Sequence, residues 1–130
     1  VNGAPDTAVS TALTLMMARI AGGPSPALPD GRVRVRDIID TVAWWSGVPA
    51  SDIIGPNRRW SYFRPRAAVC WLAIKIGGAS TTTIGRVLGD RDHSTIIHAK
   101  RRADALRLID PAFRRLTDRL LDHFRDLQED

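Results

Sequence analysis

The chain has 130 residues, 44% of them hydrophobic, a single cysteine and a net charge of +5. That length suits one domain, or one domain with an appendage, and the apolar fraction is enough for a packed core, which excludes wholesale disorder. The lone Cys70 excludes an internal disulfide and a thiolate metal cluster, and its setting in VCWLAI marks a core thiol. The longest apolar stretch near the N-terminus, Leu13 to Ala18, is too short to cross a bilayer and lacks the basic flank of a signal peptide. A soluble, cytoplasmic protein is expected.

The charge is unevenly distributed. Residues 1–31 are net −1 and residues 109–130 net −2, whereas residues 32–108 carry fourteen basic and six acidic groups, net +8. A basic excess confined to the middle suits a polyanionic partner, although a solvated basic face alone would have the same composition.

Residues 5–21 read as a helix, with Ala8, Val9, Ala12, Leu13, Met16, Met17 and Ile20 at spacings of three and four. GGPSPALPDG then breaks the pattern. The expected organisation is an N-terminal helix and Gly/Pro linker over 1–31, followed by a main domain over 32–130. Its first helix is expected over about 34–46, ending at Gly47. A short turn from Ser51 to Ile54 follows, and then an irregular basic stretch, NRRWSYFR. Pro65 suits the first turn of a helix, where its missing N–H costs nothing, and that helix runs to about Ile76. Ser80 is a good N-cap for a short helix to Leu88; Gly89-Asp90 turns the chain, and Asp92 caps a helix to about Leu108. Asp110-Pro111 precedes a last helix, with Phe113, Leu116, Leu120, Leu121, Phe124 and Leu127 inward. No strand alternation or repeat is evident, and the expected class is all-α.

STTTIGRVLGDRDHSTIIHAKRR has the parts of a helix-turn-helix: a short helix, a glycine turn, then a longer helix with polar residues leading and basic ones behind. In this motif the first residues of the second helix meet base edges in the major groove. Asp92, His93, Ser94 and Thr95 are short or flat polar side chains suited to that role, although capping alone would also explain Asp92.

The string GDRDHSTIIHA resembles the signature G(G)RDH(S/T)T(V/I)xHA of the C-terminal DNA-binding domain of DnaA, the bacterial chromosomal replication initiator. The resemblance runs without a gap from about Val35 to Arg102 and takes in RRWSYFRPR, which is similar to that family's basic loop and RPRQ segment. It implies double-stranded DNA as partner, at DnaA-box-like sites such as TTATCCACA, with a Trp-repressor-like helix-turn-helix fold. It also implies roles for single residues. Arg58 would reach into the minor groove and Arg66 would contact bases from the major-groove side. Asp92, His93, Ser94 and Thr95 would read bases, His98 would lie at the DNA backbone, and Thr81 and Thr82 would place backbone amides on phosphate. Arg64, Arg91 and Arg102 are our candidates for further phosphate contacts. The chain departs from the family at Trp60, where a basic residue is usual, and at Ala67, where glutamine is usual. Loss of a bidentate glutamine contact would cost about 1–3 kcal/mol.

No GxxxxGK[ST] phosphate loop occurs, so the ATPase module with which the initiator melts its origin is not expected. The expectation is a stand-alone relative of the DNA-binding domain, regulating replication initiation by occupying sites. Catalysis is not expected: His93 and His98 are five residues apart, roughly 140° around a helix, and no further ligand set accompanies them. No metal or cofactor is expected, and His123 reads as a solvated side chain. A rival reading makes the chain an adaptor that binds the replication initiator or its regulators. Trp44, Trp45, Trp60 and Trp71 could then supply a partner surface, with Trp71 the best candidate for the core and one of the adjacent Trp44 and Trp45 facing outward.

Overall fold

The computed structural model describes residues 33–129. The N-terminal helix and Gly/Pro linker expected over 1–31 lie outside the described residues. Among the described residues the chain forms six helices: α1 (Val35–Ser46), α2 (Ala50–Ile54), α3 (Trp60–Ile76), α4 (Thr81–Val87), α5 (His93–Ile109) and α6 (Pro111–Glu129). The fold is all-α, as expected.

The centre of the domain is α3, which packs against each of the other five helices. Its residues from Pro65 to Ala73 are buried without a break, the pattern of a helix apolar all round and therefore surrounded. Three of them are alanines, Ala67, Ala68 and Ala73, which leave room for neighbours to approach. Ile38, Ile39 and Val42 of α1, Ile84 of α4, Ile96 and Ala103 of α5, and Phe113, Leu120 and Phe124 of α6 close on it. Cys70 lies fully inside, and burial pushes its thiol up to about 12, so it stays protonated and inert. Trp71 is buried too and donates its Nε1–H to Asp104 at 2.9 Å. Trp45 packs against the core, whereas the adjacent Trp44 is 36% exposed.

The start of α3 departs from the sequence expectation. Pro65 is the sixth residue of the helix, not in its first turn, because Trp60–Arg64 is already helical. A proline there removes the i→i−4 hydrogen bond to Ser61, a real cost inside a helix. Compensating contacts hold the extra turn. The N–H groups of Tyr62 and Phe63 donate to the Arg59 carbonyl at 2.9 and 2.8 Å. Trp60 stacks on Phe63 with centroids 5.8 Å apart, and the Arg102 guanidinium sits 4.7 Å over the Phe63 ring.

At the other end of α5, Asp110 joins three helices. Its carboxylate accepts from Arg64 of α3 at 2.8 Å and from the Phe113 N–H of α6 at 3.1 Å. Burial works to raise its pKa, but the hydrogen bond from Arg64 and that backbone N–H hold it below the ordinary value.

Candidate nucleic-acid interface

The α4–α5 unit forms because its short polar residues sit where helix ends need them. Ser80 Oγ accepts from the Thr83 N–H at 3.1 Å, capping α4. The chain reverses at Gly89 (φ 76°) and Asp90 (φ 56°), a left-handed pair that glycine and aspartate tolerate. It then crosses tightly over α4: the Arg91 N–H donates to the Gly85 carbonyl at 2.8 Å. A Cβ on Gly85 would collide with the Arg91 carbonyl oxygen. The position therefore needs glycine for close approach, not for backbone conformation.

Beyond the turn, Asp92, His93, Ser94 and Thr95 all stand exposed at the start of α5, while Ile96 and Ala99 face the core. Asp92 occupies the N-cap position but makes no side-chain cap, which corrects its expected capping role. Instead its carboxylate accepts from the Ser94 hydroxyl at 2.5 Å and lies 3.3 Å from His93 Nδ1. The Ser94 hydroxyl holds the Asp92 carboxyl below its usual pKa, so it remains an acceptor. These side chains form a polar cluster facing outward.

Alongside them runs an open groove of about 730 Å³ between the α2–α3 loop and α5. Arg58, Arg66, Arg91 and Arg102 line it together with Thr95 and His98, and among the described residues no carboxylate does. Arg58, His98 and Arg102 are exposed on its rim. Thr81 and Thr82 begin α4, in the first turn where the helix supplies no acceptor for backbone N–H groups.

The other three arginines, expected at bases or phosphates, are engaged by the protein itself. Arg66 is 5% exposed and spends its guanidinium on the protein. Its Nε donates to the Ile53 carbonyl at 2.7 Å, and its Nη2 lies within 3.1 Å of the carbonyls of Asp52, Gly55 and Asn57. A group so enclosed does not project to bases; it clamps the α2–α3 loop. Arg91 is committed likewise, to the carbonyls of Ile54, Leu88 and Gly55 at 2.5–2.7 Å. Two cations thus share the Gly55 carbonyl and join the loop carrying Arg58 to the turn that starts α5. Burial lowers the pKa of both, and in Arg66 the neighbouring Arg91 charge adds to this. Arg64 pairs with Asp110 and lies 5.3 Å over Phe113, so its charge is neutralised between helices. The sequence offered no sign of these partners, since Asp110 is distant along the chain and backbone carbonyls leave no trace in it.

Sequence reasoning also missed the Trp60–Phe63–Arg102 stack on the groove wall. The aromatic pair at i, i+3 was visible only to a reading that placed residues 60–64 in a helix. His123, expected in solvent, is half-buried against Phe124.

The family model described as the bacterial DnaA protein helix-turn-helix matches residues 35–102, from the start of α1 to the Arg102 rim of the groove. Proteins named chromosomal replication initiator protein DnaA are similar over the same part. The one from Caulobacter vibrioides is 40% identical over 81 residues, the one from Ruegeria sp. (strain TM1040) 39% over 79, and the one from Acinetobacter baylyi 37% over 81. These alignments cover 61–62% of this chain but 16–17% of the relatives, so the chain spans about a sixth of their length.

Proposed function

The chain belongs to the bacterial DnaA helix-turn-helix family, and from that premise we propose that it binds double-stranded DNA at DnaA-box-like sites and so regulates replication initiation. The observation that carries the reading is the juxtaposition of four exposed polar side chains leading α5 with a four-arginine groove that no described carboxylate lines. Asp92, His93, Ser94 and Thr95 enter the major groove as base readers. Aspartate accepts from a cytosine amino group, and the threonine methyl meets a thymine methyl. Arg58, on the loop beside them, reaches the adjoining minor groove. His98 and Arg102 hold the strand between, with the first-turn amides of Thr81 and Thr82 on a further phosphate. Arg66 and Arg91 act by positioning: they fix the distance from the loop to the recognition helix and add positive potential to the groove floor. In this reading the domain acts on initiation by occupying boxes.

The test is a salt series on labelled duplexes, box-containing and scrambled. Affinity is expected to fall steeply with log salt and to favour the box by orders of magnitude. His93→Ala or Thr95→Ala is expected to narrow that preference by about 1–3 kcal/mol each, without loss of scrambled-duplex binding. Equal affinity for the two duplexes in the unaltered protein defeats sequence-specific recognition. Footprinting at an origin, with and without the initiator present, then tests the regulatory role.

A further inference from the structure

Trp60 stands on the wall of the arginine groove, 52% exposed. Leaving so large an apolar ring in water forgoes burial worth about 25 cal/mol per Å², yet the ring does not hang loose. One side of it stacks on Phe63 at an interplanar angle of 28°, and Phe63 is in turn covered by the Arg102 guanidinium. The indole is therefore held in a fixed attitude beside Arg58 and Arg102, in a groove whose charged lining, among the described residues, is entirely cationic.

We propose that Trp60 is itself a DNA contact: its indole packs on a deoxyribose of the strand lying in the groove, between the minor groove entered by Arg58 and a phosphate held by Arg102. An apolar group beside a cationic one complements a sugar beside its phosphate. If α5 occupies one groove of the duplex and Arg58 the next, the chain between them crosses a backbone, where sugars and not bases face outward. The sugar is thus the partner, and the contact is blind to sequence. The grip is apolar, so it adds affinity that salt does not screen. This inference rests on the DNA-binding reading.

The experiment measures affinity and its salt slope for box duplex, scrambled duplex and the corresponding single strand, with the unaltered chain, Trp60→Phe, Trp60→Ala, Trp60→Arg and Arg58→Ala. Trp60→Ala is expected to weaken both duplexes equally, about tenfold, the scale of burying part of one large apolar side chain, with the salt slope unchanged. Trp60→Phe stays within about threefold, and its DNA titration loses the fluorescence quench expected of the unaltered chain. Trp60→Arg steepens the slope by about 0.9, the increment for neutralising one further phosphate, and Arg58→Ala, which removes a cation from the minor groove, flattens it. If Trp60→Ala binds as the unaltered chain does while Arg58→Ala is weakened, Trp60 does not touch the duplex and the DNA-binding reading stands. If Trp60→Ala loses affinity only for the single strand, the partner is an unpaired base and the sugar assignment is overturned. If Trp60→Phe fails as badly as Trp60→Ala and both melt near the assay temperature, the ring is structural. If the unaltered chain binds no duplex, both readings fall.

Discussion

Two sets of arginines share one basic segment and have opposite surroundings. Arg66 and Arg91 are turned inward onto backbone carbonyls of the α2–α3 loop and the helix-turn-helix turn. Arg58 and Arg102 stand exposed in the same groove. The difference teaches that a basic segment is not by itself a DNA-binding surface. Part of its charge builds the frame, and only the remainder is free to meet a polyanion.

The contrast is broken or kept most decisively by Arg66→Ala. Removing the guanidinium takes a donor from four carbonyls, of which Gly55 keeps Arg91 and Ile53 is bonded in a buried setting, at about 1–3 kcal/mol for each acceptor that water cannot reach. A total loss of roughly 3 kcal/mol would lower the melting temperature by on the order of 15 °C for a domain of this size. Arg66→Lys should rescue little, because an ammonium cannot fan out to four carbonyls. A melting temperature within a degree or two of the unaltered chain, together with lost base specificity, would return Arg66 to the role of base reader.

Arg102→Ala gives the opposite signature, at smaller scale. It removes a cation–π contact worth about 0.5–1 kcal/mol at an exposed site, so thermal stability should barely move. Duplex affinity should fall for box and scrambled sequences alike, and the salt slope should flatten by about 0.9. A large drop in melting temperature with binding intact would place Arg102 with the framework arginines.

Why the two sets were inseparable in the sequence is a matter of which partners leave a trace there. The helix-turn-helix was legible because its determinants are local: Ser80 as cap, Gly89-Asp90 for the turn, and a polar first turn at 92–95. The inward stripe of α6 was legible for the same reason, at period 3.6. The fate of Arg64, Arg66 and Arg91 was not, since their partners are either distant, as Asp110 is, or backbone carbonyls that every residue possesses. Pro65 misled in a related way. It suits a first turn locally, but packing of Trp60 and Phe63 outweighed its missing N–H and drew the helix back five residues.

The smallest effect carries the same contrast to a titratable side chain outside the groove. His123 on α6 is half-buried, its ring 5.2 Å from Phe124. Burial lowers its pKa below the ordinary 6.5, against a weaker opposing pull from Asp126. In the unfolded chain the imidazole titrates near its ordinary value, so below that pH the unfolded state binds more protons than the folded one. Stability is then full above about pH 6.5 and declines as the pH falls from there toward the depressed folded value. Melting temperatures of the unaltered chain at pH 7.5 and 5.5 should therefore differ by more than those of His123→Gln. DNA affinity at pH 7.5 should be the same for both, because α6 contributes nothing to the groove. An identical pH response in the variant would mean that acid sensitivity arises from another group. A matching loss of DNA affinity at pH 7.5 would extend the interface to α6, beyond the boundary drawn between framework and contact.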